Sequence, residues 1–109
     1  MKKILVSLLL VPIMASAEFI TGNDLLEDLQ SGETVKRVFA MGYIAGVADA
    51  NHSVTYCPPE GISLGQLRDM VEQYITTNAS IRNLSADVLI GDMLNRRWPC
   101  KTPQRGRGV

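Results

Sequence analysis

The sequence predicts an all-α protein, a small bundle-like domain of four to five helices with one disulfide. Apolar residues recur at helical spacing in segments that have start and stop signals, and no credible period-two alternation indicates a strand. The charge-free stretch Val38 to Ala48 is apolar around nearly its whole circumference, which is typical of a buried central helix. Cys57 and Cys100 can form one covalent link.

Residues 1–17 are predicted to be a secretory signal peptide, which leaves residues 18–100 as the domain. Lys2-Lys3 precede a mostly apolar run that ends near Met14, and Ala15-Ser16-Ala17 fits a cleavage site. A membrane anchor is the alternative, but the apolar run is shorter than the roughly 20 residues that span a bilayer. We therefore expect cleavage after Ala17 and no membrane span in the mature chain.

Two helical segments open the domain. The first is predicted from Asn23 to Gln30, with Asn23 as a candidate N-cap. The second runs from about Thr34 to Ala50 and contains the charge-free stretch. Gly42 and Gly46 form a G-x-x-x-G pattern, which lets helices approach closely. Close packing inside the core is the favoured interpretation, and a dimer contact is the second.

Two more helical segments follow a stiff connector at Cys57-Pro58-Pro59-Glu60-Gly61. The third has a capping box formed by Ser63 and Gln66 and should fade near Thr76. The fourth begins after Ser85 and cannot continue past Pro99. Its predicted inner face consists of Ala86, Leu89, Ile90, Met93 and Leu94.

The two cysteines are predicted to form a disulfide. An even cysteine count in an exported chain favours pairing over two free thiols. A zinc site is disfavoured, because one histidine and two distant cysteines lack the usual ligand spacing. The bond would close a long loop, for which the chain-entropy model gives about 4 kcal/mol of stabilisation.

The charge is distributed unevenly along the chain. Between Glu18 and Cys100 there are eleven acidic and six basic residues, a net charge of −5. This acidic body argues against nucleic-acid binding. Residues 101–109 carry Lys101, Arg105 and Arg107 without an acid, and we expect them to form a flexible basic tail.

No catalytic, phosphate-binding or metal-binding motif is present in the sequence, so we expect neither enzymatic activity nor a cofactor. His52 follows a helix end, where a surface or capping role is favoured over catalysis. Asp49 ends the apolar stretch, where an acid opposes the helix dipole. We expect a structural pairing with Arg68, Arg96 or Arg97 rather than a functional acid.

One family shares an ordered set of residues with this chain. The set is Gly42-Tyr43-Ile44, Gly46, Asp49, Cys57-Pro58, Gln66-Leu67, Tyr74, Ala86 and Trp98-Pro99-Cys100. Through these residues and their order, the chain resembles the Tai-type immunity proteins, which protect bacteria against amidase effectors of type VI secretion systems. The resemblance implies a periplasmic all-α domain, often dimeric and without enzymatic activity. Such a protein binds a peptidoglycan-cleaving amidase and blocks its active-site groove.

The shared residues look like scaffold, with Gly42, Tyr43, Gly46, Asp49 and Trp98 as its signature, and they do not identify the binding surface. We place that surface in the connector from Asn78 to Ser85, whose candidate contact residues are Asn78, Ser80, Arg82 and Asn83. A plain solvated turn is the alternative. One alternative function is a small periplasmic chaperone of the acid-stress type, in which the eleven acidic residues would supply a change of charge at low pH. Another is a helical binding protein without an effector partner.

Overall fold

A computed structural model describes residues 20–101 of the chain. The predicted signal peptide and, after Lys101, the basic tail lie outside this range. The described part contains four α-helices and one short 3-10 helix: α1 (Gly22–Leu29), α2 (Thr34–Asn51), α3 (Leu64–Thr77), η1 (Ala79–Ile81) and α4 (Ala86–Arg97). Between residues 20 and 101 there is no strand, only two isolated β-bridges. The predicted all-α class is therefore confirmed.

Helix α1 begins earlier than the sequence pattern predicts. Thr21, not Asn23, is the N-cap, and it forms a capping box with Asp24. The Asp24 amide donates to the Thr21 hydroxyl, and the Thr21 amide donates to the Asp24 carboxylate. Asparagine is a strong capping residue, which favours Asn23 in the sequence, but only Thr21 has the reciprocal acid three positions later.

Helix α2 is not buried on most sides, and that prediction is wrong. Only Ala40, Ile44 and Ala48 are buried, and their spacing of four residues forms one narrow stripe along the helix. The other apolar side chains of the charge-free stretch are half-buried or exposed. A domain with four helices has too few neighbours to cover α2 all round, so a uniformly apolar sequence leaves one face open.

Helices α3 and α4 follow their sequence signals closely. The Ser63 and Gln66 capping box is present, with the Gln66 amide donating to Ser63 Oγ at 3.1 Å. Ser85 is the N-cap position of α4. The core of the described part combines residues from all four helices and the connector: Leu25, Leu26, Leu29, Ala40, Ile44, Ala48, Tyr56, Val71, Ile75, Ala86, Ile90, Met93 and Leu94. The five predicted inner residues of α4 are all buried.

The start of α1 is joined to the segment between α3 and α4 by backbone hydrogen bonds. The Gly22 amide donates to the Leu84 carbonyl at 2.9 Å, and the Asn23 amide donates to the Arg82 carbonyl at 2.8 Å. A Cβ atom at Gly22 would lie 2.6 Å from Leu89 Cδ1 and 2.9 Å from the Arg82 carbonyl oxygen. Gly22 therefore permits a close backbone approach that a side chain would prevent.

The disulfide between Cys57 and Cys100 is confirmed, with a Cα–Cα distance of 4.9 Å. The Cys57 amide also donates to the Trp98 carbonyl at 2.8 Å. The bond therefore joins the connector that follows α2 to the end of α4. No helix among residues 20–101 is long and apolar enough to cross a membrane.

Candidate functional site

Two of the four predicted contact residues of the connector maintain its shape. The Asn78 amide group donates to the Tyr74 carbonyl at 2.8 Å, and the Arg82 guanidinium donates to the Thr76 carbonyl at 3.2 Å. Both bonds satisfy carbonyls in the last turn of α3, which lack partners within the helix. Arg82 Nε is buried without a hydrogen-bond partner in the described part of the chain. Asn78 and Arg82 are thus largely occupied inside the domain.

The other two predicted contact residues, Ser80 and Asn83, are exposed. Within residues 20–101, the side-chain hydrogen bonds of the connector are made by Asn78, Arg82 and Ser85, and none by Ser80 or Asn83. Because η1 and the bonds to α1 hold the backbone, these two polar groups are presented on a fixed loop. The connector can therefore offer hydrogen bonds to a partner without first becoming ordered.

The side of α2 opposite the buried stripe is apolar and exposed. Gly42 and Ile44 lie about 200° apart around the helix. The exposed fractions of the three large residues on the Gly42 side are 79% for Val35, 62% for Val38 and 53% for Phe39. We call the set Val35, Val38, Phe39, Gly42 and Gly46 the α2 outer face. Sequence periodicity missed it, because the pattern does not show which side of an all-apolar helix is covered.

The glycines of the G-x-x-x-G pattern do not pack inside the domain. A Cβ atom at Gly42 or at Gly46 would have no atom within 4 Å outside its own helix. The favoured interpretation of close core packing is therefore wrong for the described residues, and the second interpretation, a dimer contact, stays a prediction. Tyr43, between them, is half-buried and packs against the core. Burial and, next, the Asp87 carboxylate raise its pKa.

A cavity of about 180 Å³ lies beside the disulfide, and we call it the disulfide-side cleft. It forms where the end of α2, the 52–62 connector, the start of α3 and the end of α4 meet. It is lined by Ala48, Asp49, His52, Tyr56, Pro58, Pro59, Glu60, Gly61, Ile62, Leu67 and Trp98. The sequence held a signal for it, since the disulfide brings Pro58-Pro59 next to Trp98.

The predicted ion pair of Asp49 is wrong. Asp49 is exposed and makes no salt bridge within residues 20–101. The three candidate arginines are engaged elsewhere: Arg68 with Asp69 at 2.9 Å, Arg96 with Asp92 at 2.9 Å, and Arg97 with Trp98, whose ring centroid lies 5.3 Å from Cζ. The prediction assumed a partly buried carboxylate, whereas a solvated carboxylate needs no partner.

Tyr56 forms the buried part of the cleft. Its hydroxyl donates to the Ala48 carbonyl at 2.8 Å, so the ring is fixed against the end of α2. The His52 and Trp98 rings lie 5.8 Å and 6.4 Å from the Tyr56 ring, centroid to centroid. Burial, and secondly the negative charge of Asp49, raise the pKa of Tyr56. The aromatic cluster is therefore a rigid wall beside an exposed carboxylate.

His52 is exposed, with its Nδ1 atom 3.0 Å from the Ser53 hydroxyl. This position agrees with the expected surface histidine. Among residues 20–101, no three histidine, cysteine or acidic side chains lie close enough together to hold a metal ion.

Residues 21–100 match the family of Rap1a immunity proteins. The chain belongs to this family. It is a family of type VI secretion immunity proteins, so the resemblance seen in the sequence is confirmed at that level, and the Tai type stays a prediction. Membership implies binding of a cognate effector protein. A search of curated proteins finds no significant match.

Proposed function

We propose that this protein is exported to the periplasm, where it binds a peptidoglycan-cleaving amidase effector and occludes its active-site groove without catalysing a reaction. The observation that carries the proposal is the match of residues 21–100 to Rap1a immunity proteins. The ordered residues shared with Tai-type proteins support an amidase as the effector. The N-terminal basic and apolar segments followed by Ala15-Ser16-Ala17 support export.

The connector from Asn78 to Ser85 is the proposed contact surface for the amidase. Its support is the combination of a fixed backbone with the free, exposed side chains of Ser80 and Asn83. A groove that accepts a peptidoglycan stem needs a protruding, polar insert, and a pre-ordered loop loses little conformational entropy when it binds. Asn78 and Arg82 then act by holding the loop in shape.

The test measures binding and inhibition with the purified amidase that the proposal expects to be encoded beside this gene. The mature protein should form a complex in titration calorimetry and stop release of peptide from peptidoglycan. Sequencing of the periplasmic protein should find Glu18 at its N-terminus. An amidase that forms no complex and keeps its full activity would refute the proposal.

A variant pair tests the connector itself. Changing Ser80 and Asn83 to alanine should weaken the complex about tenfold or more, because each hydrogen bond lost from the interface costs about 0.5–1.5 kcal/mol. The melting temperature should stay unchanged, because neither side chain has a partner within the described domain. Gln73→Ala, which changes an exposed polar residue on α3, is the matched control and should keep wild-type affinity.

The proposal includes a homodimer formed through the α2 outer face. Exposed apolar patches on a small protein are typical of interfaces. If two copies pack α2 against α2 in antiparallel orientation, with the two-fold axis between Gly42 and Tyr43, Phe39 faces Gly46 of the second copy. A large side chain thus meets a glycine across the two-fold axis.

Sedimentation velocity distinguishes the dimer from a monomer. The wild-type protein should sediment as a dimer at micromolar concentration, and Phe39→Asp should convert it to a monomer. Val88→Asp is the control, because Val88 is a similarly exposed residue on α4. A wild-type monomer, or a Phe39→Asp variant that still forms a dimer, would contradict the α2 contact.

A further inference from the structure

We propose that the disulfide-side cleft receives one lysine or arginine side chain of the amidase effector. The inference rests on the proposed function and adds a second contact to it, with a stated chemistry. It is carried by four properties of the cleft: its volume, its unpaired carboxylates, its aromatic wall and its rigidity.

The volume fits one side chain. Sites for small molecules enclose about 300–1,000 Å³. The cleft, at about 180 Å³, is smaller than that range, which disfavours a peptidoglycan fragment as its occupant. It is nevertheless several times larger than the roughly 30 Å³ that one water molecule occupies in the liquid. A single long side chain from a protein surface lies between these limits.

The charge selects a cation. Asp49 and Glu60 both line the cleft and are exposed, and neither takes part in a salt bridge within residues 20–101. The lining contains no lysine or arginine from the described part of the chain. Two carboxylates without a salt-bridge partner among these residues favour an ammonium or guanidinium group and disfavour an anion.

The remaining walls suit the rest of such a side chain. Ile62 and Leu67 provide apolar contact for an aliphatic stem, which long cationic side chains bury while the charge stays in water. Trp98 already attracts one cation, because Arg97 Cζ lies 5.3 Å from its ring centroid. Arg97 is not part of the lining, so that contact leaves the cleft open.

The cleft is pre-organised. The disulfide at Cys57, the Cys57–Trp98 backbone hydrogen bond and the Tyr56 hydroxyl bond to Ala48 each fix one wall. Pro58 restricts the connector further. A partner side chain that enters the cleft therefore does not have to order it first, which increases the affinity gained per contact.

The cleft and the Asn78–Ser85 connector lie at opposite ends of α3. Leu67, near the first turn, lines the cleft, and Asn78 follows the last turn. A helix of 14 residues is about 20 Å long. Changes at one site therefore leave the contacts of the other intact, and the two proposals can fail separately.

The first test compares two variants that remove the same charge. In one, Asp49→Asn is combined with Glu60→Gln; in the other, Asp28→Asn is combined with Glu27→Gln on α1. The cleft variant should bind the amidase about tenfold or more weakly and with less salt dependence, while the α1 variant should stay close to wild type. Equal losses of affinity in both variants would assign the effect to net charge and refute the inference. Unchanged affinity in the cleft variant would also refute it, whereas binding by the wild-type protein would still support the proposed function.

The second test does not need the effector. The mature protein is titrated with N-acetyl-arginine amide while NMR signals of the Trp98 indole and the Asp49 amide are followed. Saturable shifts should appear in the wild-type protein and disappear in the cleft variant. Absence of shifts would overturn the inference. Clearly larger shifts in a chain that ends at Lys101 would also overturn it, because the chain's own Arg105 or Arg107 would then be the occupant.

Discussion

Replacing Gly22 with alanine tests the close contact between α1 and the α3–α4 connector. The new methyl group would lie 2.9 Å from the Arg82 carbonyl oxygen, whereas an ordinary contact is 3.4–4 Å. The two backbones must therefore separate by about 0.5 Å, unless Arg82 moves with part of the connector. Leu89 can give way by changing its rotamer, but a carbonyl held by a hydrogen bond from Asn23 cannot.

The expected cost follows from this geometry. Overpacking of a well-filled site costs about 1–3 kcal/mol. In a helix interior, alanine is more favourable than glycine by roughly 1 kcal/mol. Only a small part of this gain offsets the overpacking cost, because Gly22 is the first residue of α1. The net loss should be about 1–2 kcal/mol. For a domain of this size, the melting temperature should fall by about 4–16 °C.

Calorimetry of the purified protein measures the change. Gly91→Ala in α4 is the matched control, because a Cβ atom at Gly91 has no neighbour within 4 Å. At Gly91 the gain in helix propensity is not offset by overpacking, so the free energy of unfolding should rise by up to about 1 kcal/mol. If the Gly22→Ala variant melts at or above the wild-type temperature, the contact between α1 and the Arg82 carbonyl tolerates a methyl group, and the prediction is refuted.

Three further predictions concern the disulfide, a cap and the tyrosines. Replacing Cys57 and Cys100 with serine should lower the free energy of unfolding by about 4 kcal/mol, measured by urea denaturation. Ser63→Ala removes the cap of α3 and should cost about 1 kcal/mol in the same assay. Folding raises the pKa of three phenols: Tyr43, Tyr56 and Tyr74. Because the folded state holds these protons more tightly, their contribution to the free energy of unfolding should be fully present below about pH 10. It should be lost as the pH rises through the raised pKa values. A free energy of unfolding that does not fall over this pH range would contradict the prediction.

Much of the fold could be predicted because its signals are local. The Ser63 and Gln66 capping box and the apolar spacing of α4 are properties of neighbouring residues, and the structure reproduces both. The capping box of α1 is harder to recognise in the sequence, because Asp24 stands where glutamate or glutamine is more common. Local rules therefore give the helices and most of their ends.

The surfaces were harder to predict, because they depend on how the helices pack. An all-apolar segment does not reveal that Phe39 faces solvent while Ile44 faces the core. Nor does the sequence show that Asp49 makes no salt bridge within residues 20–101. Its three candidate arginines lie on other helices, where nearer carboxylates or Trp98 engage them. The order of the signature residues along the sequence is enough to recognise them. What each of them contacts can be seen only in the three-dimensional structure.

The position of Cys100 has a consequence for the lifetime of the folded protein. The bond spans 43 residues and encloses both α3 and α4 in one covalent loop. We expect contacts between segments so far apart in sequence to form after the folding transition state, so loss of the bond should accelerate unfolding more than it slows folding. For the proposed periplasmic inhibitor, the bond would then determine how long each molecule stays competent between encounters with an effector.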